Sequence, residues 1–313
     1  MAKKIAFIFP GQGAQYIGMA MDFIAQDPSL EEIINNFDKK NNTNLLSIMK
    51  DGPEEKLKET RFTQPAILFH SIAALRALQN EIEITPDFVA GHSLGEFSAL
   101  VANGVLNFED AMYLVHKRGE FMIKANEGKP FAMAAIIGPD EETVRNICQQ
   151  ASSEGVVVAA NFNTPVQTVI SGSKAGVEKA CELLSEAGAK RVVPLVVGGP
   201  FHSPLIAKAS EWLTEEMNSI QFSSTTIPVI ANVDANLETD SEKIKLNLAK
   251  QVTSSVLWVA SMQRMISEGV ELFIEFGPQK VLTGMMKKID RKAKILNIDK
   301  VEDVKKIVDF IKN

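Results

Sequence analysis

The chain has 313 residues, of which 45% are hydrophobic and 23% are charged, and its 33 basic and 39 acidic residues give a formal net charge of −6. This length predicts one large domain, or a large domain that carries a smaller insert. The acidic balance argues against a nucleic-acid-binding protein, because phosphate recognition usually requires an excess of Lys and Arg.

The first apolar run is predicted to be a strand over residues 5–9, because Pro10 and Gly11 interrupt it too early for a signal-peptide core. No apolar stretch reaches the roughly 18 residues that a membrane helix needs. The two cysteines, Cys148 and Cys181, are too few for a disulfide framework and argue against a cysteine-built metal site, although one bridge between them stays open. We therefore expect a cytoplasmic protein that binds no membrane.

Short apolar strands alternate with amphipathic helices, a pattern typical of an α/β protein with a mostly parallel sheet. After the first strand and its glycine loop, the chain predicts a helix over 19–25, a helix over 63–78, a strand over 87–90, a helix over 94–102 and a helix that starts after Asn107. The carboxyl ends of such strands are where open α/β sheets hold their ligands.

Residues 130–197 follow a different order, which predicts a separate small sheet. The predicted elements are a strand over 131–137, a helix over 141–150, strands over 156–161 and 166–171, a helix over 175–187 and a strand over 191–197. This βαββαβ order is typical of a ferredoxin-like fold. Glycine and proline near both ends predict hinges. We therefore predict a ferredoxin-like subdomain over 128–198, inserted into an α/β domain formed by 1–127 and 199–313. A helix over 204–218 and a last strand–helix pair over 294–311 complete the larger domain.

Residues 91–95 read Gly-His-Ser-Leu-Gly, a G-x-S-x-G motif between a predicted strand and a predicted helix. The turn of a nucleophile elbow is so sharp that β-carbons two positions on either side of the serine would clash, and it exposes the hydroxyl. We interpret Ser93 as a nucleophile, with a purely structural turn as the alternative.

Ser93 needs a base, because a serine hydroxyl is a poor nucleophile at neutral pH without one. The chain has four histidines. We interpret His70, which falls in a predicted apolar helix, as a core residue, and His92, which adjoins the nucleophile, as structural. His116 and Arg118 lie about 200° apart around their helix, so they cannot serve one small site together.

His202 is therefore the candidate base. The following Ser203 is predicted to be the N-cap of a helix that starts at Pro204. The positive end of a helix disfavours an imidazolium ion and would keep the ring neutral. The alternative is a loop histidine without a role.

Two further residues are candidates for contacts with a reacting group. The loop after the first strand, residues 9–15, lacks the glycine that a dinucleotide fingerprint needs at Tyr16, and it is not a P-loop. Its glycines give the backbone conformational freedom, and together with Gln12 it could donate a hydrogen bond to an oxyanion. The alternative is a plain connecting loop. Arg118 falls on the apolar face of its helix, so it extends to water, pairs with a buried acid or binds an anionic ligand.

Eight ordered features together resemble one enzyme family. They are Phe-Pro-Gly-Gln-Gly-Ala-Gln at 9–15, Thr-Gln-Pro-Ala at 63–66, Gly-His-Ser-Leu-Gly-Glu-Phe-Ser-Ala-Leu at 91–100, Arg118, Ala-Asn-Phe-Asn at 160–163, Phe-His-Ser at 201–203, Gln251, and Gly-Pro-Gln-Lys-Val-Leu at 277–282. On these residues the sequence is similar to the malonyl-CoA:acyl carrier protein transacylases. This resemblance implies a hydrolase-like α/β core with the ferredoxin-like insert.

The resemblance also implies a reaction and its residues. Ser93 would take the malonyl group from malonyl-CoA with His202 as base, and the phosphopantetheine thiol of acyl carrier protein would then receive it. The other implied roles are an oxyanion hole from the backbone N–H groups of Gln12 and Leu94, a carboxylate clamp at Arg118, a histidine-orienting carbonyl at Gln251, and pocket-lining positions at Gln64, Asn161, Asn163 and Phe201. Leu94 and Phe201 are similar to malonyl-type rather than methylmalonyl-type members. We expect a monomer that needs no cofactor and no metal.

Three alternatives stay open. A serine esterase or thioesterase would pass the acyl group to water, an acyltransferase of a polyketide pathway would use another carrier, and a scaffold protein would bind a carrier without catalysis. An acidic carrier would have to meet local basic residues, and candidates lie over 287–294 and at Lys190 and Arg191. These basic residues are equally typical of a solvated surface.

Overall fold

The computed structural model describes residues 3–312, and these contain ten strands, fourteen α-helices and one 3-10 helix over Pro204–Ile206. The strands are β1 Lys4–Phe9, β2 Phe88–Gly91, β3 Phe131–Ile137, β4 Val157–Thr164, β5 Gln167–Ser173, β6 Arg191–Pro194, β7 Val229–Ile230, β8 Leu237–Glu238, β9 Val270–Phe276 and β10 Lys294–Ile298. The helices are α1 Met21–Gln26, α2 Pro28–Asn41, α3 Leu45–Asp51, α4 Glu54–Leu57, α5 Thr60–Glu81, α6 Gly95–Ala102, α7 Phe108–Lys124, α8 Glu141–Ala151, α9 Lys174–Glu186, α10 Ala207–Asn218, α11 Ser241–Gln251, α12 Trp258–Ser267, α13 Val281–Ile289 and α14 Val301–Lys312.

The larger sheet has six strands in the order β10-β9-β1-β2-β7-β8, and its pairs are parallel except for β7 with β8 at one edge. The central strand β1 is apolar on both faces because both are covered. Phe7 and Phe9 pack into one buried cluster, whereas Ala6 and Ile8 pack into another on the opposite face. Because both faces of β1 are covered, its carboxyl end is the part of the strand that is left for contacts with a ligand.

The carboxyl ends of β1 and β2 lie side by side, since Phe9 pairs with Gly91 in the parallel register. The loop that contains Gln12 and the turn that contains Ser93 therefore leave the sheet at neighbouring points. This is the edge where open α/β sheets hold their ligands.

The smaller sheet has four strands in the order β4-β5-β3-β6, and all its pairs are antiparallel. Helices α8 and α9 cover it and share a separate buried cluster with its strands. The fold is thus α/β, with a parallel-containing sheet and a second, antiparallel sheet. β4 also bonds to the segment before α12, where the Val256 carbonyl accepts from Phe162 and the Val256 N–H donates to Ala160.

The structure corrects two predicted elements. The strand predicted over 191–197 ends at Pro194: the Leu195 N–H still donates to the Met133 carbonyl of β3 at 2.9 Å, and the chain then leaves the sheet toward the glycine pair at 198–199. The helix predicted over 204–218 starts with the 3-10 turn and becomes α-helical only at Ala207. Ser203 does not cap it: its hydroxyl donates instead to the Pro200 carbonyl at 2.6 Å.

Cys148 and Cys181 are both free thiols, so the bridge that the sequence left open is not formed. Across residues 3–312, no helix is both long and apolar enough to cross a membrane. The predicted domain boundaries at 127/128 and 198/199 stay predictions, and positions 1, 2 and 313, where the larger predicted domain starts and ends, lie outside the described residues.

Candidate active site

The turn after β2 is so tight that glycine is required on both sides of Ser93. A β-carbon on Gly91 would lie 1.8 Å from the carbonyl carbon of Gly95, and one on Gly95 would lie 2.2 Å from the carbonyl oxygen of Phe9. Both positions therefore require glycine. Ser93 itself has a φ of 54°, a left-handed conformation that is costly for a residue with a side chain and is typical of functional sites.

His202 faces the Ser93 hydroxyl, and its own φ of 57° is again left-handed. The distance from Ser93 Oγ to His202 Nε2 is 2.8 Å, and His202 Nδ1 lies 2.9 Å from the carbonyl oxygen of Gln251. Because a carbonyl only accepts, Nδ1 carries the proton and Nε2 is free to accept from the serine. The chain thus orients the ring with a backbone carbonyl where many hydrolases use a carboxylate.

Burial and, to a smaller extent, the positive charge of Arg118 lower the pKa of His202 to about 3. The ring is therefore neutral at pH 7, which is the form a base needs. The sequence suggested a helix N-terminus as the reason, but the helix there starts with a 3-10 turn of three residues, so burial is the stronger physical cause.

Arg118 is a buried guanidinium that points at the nucleophile from α7. Its Nη2 donates to Ser93 Oγ at 2.9 Å and to Gln251 Oε1 at 2.9 Å, and its Nη1 donates to Gln64 Oε1 at 2.8 Å. Burial lowers its pKa to about 10, so it stays charged at pH 7. Its Nε has no hydrogen-bond partner among residues 3–312. A fixed cation beside a nucleophile can bind an anionic group of the reacting molecule.

Two residues of the site went unassigned from the sequence, Asn232 and Glu96. The side chain of Asn232 accepts from the Ser93 N–H and donates to the Gly91 carbonyl, each at 2.8 Å, and so clasps the turn. Glu96 accepts from Gln251 Nε2 at 2.7 Å. Glu96 could have been noticed as the one acid within the motif at 91–100, where the predicted helix is otherwise apolar, but nothing in the sequence around Asn232 marks it.

The backbones that would supply an oxyanion hole are in direct contact. A β-carbon on Gly11 would lie 2.6 Å from the carbonyl oxygen of His92, so the loop with Gln12 lies against the turn with Leu94. The Gln12 side chain is exposed, whereas Leu94 is buried. Donation by their N–H groups to an oxyanion stays a prediction.

The residues predicted to line the pocket are all buried, and their contact with a substrate stays a prediction. Gln64 holds Arg118, whereas Asn163 on β4 bonds to His92 at 2.8 Å, and Asn161 and Phe201 are also buried. A cleft of about 330 Å³ opens beside His202, between the two sheets. Its other lining residues are Arg145, Val158, Pro204, Val233, Thr253, Ser254, Ser255 and Leu257.

The other three histidines make different contacts. His70 is fully buried, His92 packs edge-on against Trp258, and His116 bonds to the Arg61 carbonyl at 3.0 Å. A serine paired with a neutral imidazole and a fixed cation suits acyl transfer from a donor whose acyl group carries a negative charge.

Comparison with known proteins gives one consistent result. Residues 6–307 match the family described as the acyl transferase domain. The malonyl CoA-acyl carrier protein transacylase of Bacillus subtilis is 45% identical over 310 residues, which cover 99% of this chain and 98% of that protein. The structure of the Coxiella burnetii malonyl CoA-acyl carrier protein transacylase matches with a TM-score of 0.95 at 36% identity, covering 99% of this chain and 98% of that chain. A malonyl-transacylase in complex with a type II PKS acyl-carrier protein matches with a TM-score of 0.93 at 36% identity, covering 98% and 99%.

The close approach at Gly91 predicts a large loss of stability for Gly91→Ala, by at least about 3 kcal/mol, because the new β-carbon would overlap backbone that cannot move aside. Gly284→Ala is the matched control: that glycine is exposed in α13 with open space around it, so we expect a gain of up to about 1 kcal/mol. Urea unfolding of both variants measures the two changes, and equal stabilities would contradict the steric account.

The low pKa of His202 predicts that Ser93 stays reactive in mild acid. Labelling by phenylmethylsulfonyl fluoride, a neutral probe, should change little between pH 8 and pH 5, whereas a histidine at its ordinary pKa would cost roughly thirtyfold at pH 5. Rates are read by intact mass, with Ser93→Ala as the blank and His202→Ala expected to label far more slowly. An inflection near pH 6.5, or normal labelling of His202→Ala, would contradict this assignment.

Proposed function

The chain belongs to the acyltransferase family of the malonyl-CoA:acyl carrier protein transacylases, and from this premise we propose that it transfers malonyl from malonyl-CoA to the phosphopantetheine thiol of an acyl carrier protein. The product would supply malonyl units for fatty acid synthesis. The observation that carries the choice of acyl group is the buried Arg118, whose guanidinium lies 2.9 Å from Ser93 Oγ. The free carboxylate of a malonyl group is the anion that such a cation would hold.

In the first half-reaction Ser93 Oγ attacks the thioester carbonyl carbon while its proton moves to His202 Nε2. The tetrahedral oxyanion would be held by the N–H groups of Leu94 and Gln12. The carbon–sulfur bond then breaks, His202 returns the proton to the sulfur, and coenzyme A leaves as a thiol. The product is malonyl-serine with neutral His202.

The second half-reaction repeats these steps in reverse with another thiol. His202 takes the proton of the phosphopantetheine thiol, the sulfur attacks the malonyl-serine carbonyl, and Ser93 Oγ leaves and regains a proton. Because both acyl acceptors are thiols, one base serves both directions. The chemistry we propose uses only side chains and backbone of the chain, with both thioesters as substrates.

The proposed protein partner is an acyl carrier protein. One structural neighbour was solved in complex with such a protein. The basic residues at 190–191 and 287–294 are available to an acidic partner, because Lys190, Arg191, Lys287 and Lys288 are all exposed. The same neighbour's carrier comes from a type II PKS, so transfer in a polyketide pathway is the second candidate function. A monomer in the cytoplasm stays our prediction.

The finer architecture we propose is a hydrolase-like core with a ferredoxin-like insert over 128–198. The strand order β4-β5-β3-β6 supports it, because a βαββαβ unit whose first and third strands are central produces this order. The strand–turn–helix around Ser93 supports the hydrolase-like core.

Intact mass spectrometry after mixing with malonyl-CoA tests the proposed function. We expect a malonyl adduct that is absent from Ser93→Ala and that an acyl carrier protein thiol removes. Release of coenzyme A with no adduct would instead support a thioesterase, and undiminished biological function of Ser93→Ala would support a scaffold protein.

Replacing Arg118 should change the loading of charged acyl groups more than the loading of neutral ones. Arg118→Ala should lower malonyl loading by about two to three orders of magnitude while sparing or improving acetyl loading, because only the malonyl group loses a charge-assisted pair. Arg264→Ala is the control, since Arg264 is half exposed and pairs with Glu268 at 2.8 Å. Loading kinetics with malonyl-CoA and acetyl-CoA measure the ratio, and equal losses with both donors would rule out the clamp.

A further inference from the structure

A buried carboxylate with no part in the reaction above lies beneath the nucleophile. Glu96 is 2% exposed in the first turn of α6. Its Oε2 accepts from Gln251 Nε2 at 2.7 Å and from the Asn232 N–H at 3.2 Å. Buried carboxylates are costly, so one that is retained next to a reactive serine calls for a reason.

The side-chain amide of Gln251 connects Glu96 to Arg118. Its Nε2 donates to Glu96 and, at 2.9 Å, to the Ser93 carbonyl, while its Oε1 accepts from Arg118 at 2.9 Å. An ionised carboxylate only accepts, so Glu96 forces the amide nitrogen toward itself. The amide oxygen must then face Arg118. Glu96 thereby fixes an acceptor for a guanidinium that it does not touch.

The charges of this cluster nearly cancel before a substrate arrives. Arg118 on α7 is the cation that attracts Glu96, and Asp234, in the loop after β7, is the other charged group acting on it. The imidazoles of His202, which lies near Arg118, and of His92 are neutral, because burial lowers the pKa of each. A bound malonyl carboxylate would add one negative charge to this buried region. That charge would repel an ionised Glu96.

We propose that Glu96 is a positioning residue that fixes the Gln251 amide against Arg118 and that, while it is ionised, lowers the preference of the site for acyl groups with a carboxylate by balancing the charge of Arg118. This proposal rests on the proposed function. It implies that malonyl loading and proton binding at Glu96 favour each other, because linkage between two sites is reciprocal. Burial raises the pKa of Glu96 to about 7, so the coupling falls within an accessible range.

The experiment compares loading by malonyl-CoA and acetyl-CoA from pH 6 to pH 8.5 in the full chain and in Glu96→Gln. The coenzyme A phosphates titrate in both donors and cancel in the ratio of the two kcat/KM values. In the unaltered chain this ratio should fall as pH rises through about 7, by roughly tenfold for each unit by which malonyl raises the pKa of Glu96.

Glu96→Gln removes the charge and keeps the geometry. Both hydrogen bonds end on one oxygen, Oε2, so the amide oxygen of glutamine can accept both. We expect its ratio to exceed that of the unaltered chain at pH 8 and to stay constant with pH. Glu216→Gln is the control: Glu216 lies on α10, its carboxylate accepts one hydrogen bond, from the Tyr113 hydroxyl at 2.7 Å, and the ratio of this variant should follow the unaltered chain.

A second measurement uses only the unaltered chain. Single-turnover loading in weak buffer at pH 7 with an indicator dye should show proton uptake with malonyl-CoA and none with acetyl-CoA, because acyl transfer itself moves the serine proton to the departing thiol. A ratio that is independent of pH in the unaltered chain, with no proton uptake, would overturn the role of Glu96. Failure of the unaltered chain to load malonyl at all would overturn the proposed function instead.

Discussion

Burying the charge of Arg118 is the constraint on which the site depends. An isolated cation in a protein interior costs several kcal/mol, so its donors must be matched by acceptors. The chain provides three, from Gln64, Gln251 and Ser93, which lie on three different elements. The third is the nucleophile itself. The same guanidinium thus holds the serine hydroxyl in place and marks where an anionic acyl group would bind.

The charge of Arg118 is also relevant to the group that orients His202, which is a neutral carbonyl. A carboxylate on His202 Nδ1 would stabilise the imidazolium, whereas the Gln251 carbonyl fixes the ring with a dipole and no charge. With Arg118 close by, the protonated ring is strongly disfavoured.

What the sequence could predict is what local chemistry determines. The strand over 131–137 agrees residue for residue with β3, and the need for glycine at Gly91 follows from the turn itself, because a β-carbon there would overlap Gly95 and Glu96. The hydrogen bond between Asn232 and the Ser93 N–H could not be predicted, because the two residues are 139 positions apart and meet only where β2 pairs with β7. Ser203 shows the reverse case. Its predicted capping role follows local propensity, but the fold places the Pro200 carbonyl within its reach. The roles of the site residues stay predictions even where the geometry brings the side chains together.

The position of Gln251 depends on both sheets. On one side its side chain bonds to Ser93, in the turn after β2 of the larger sheet, and to Glu96, in the first turn of α6. On the other side the chain continues from Gln251 into Val256, which bonds through both its N–H and its carbonyl to β4 of the smaller sheet. The carbonyl that orients His202 is thus fixed from both directions. Asn163 of β4 also bonds to His92, the residue before the nucleophile. The smaller sheet therefore contacts the site at two places, through Asn163 and through the segment that follows Gln251. It is part of the active-site framework.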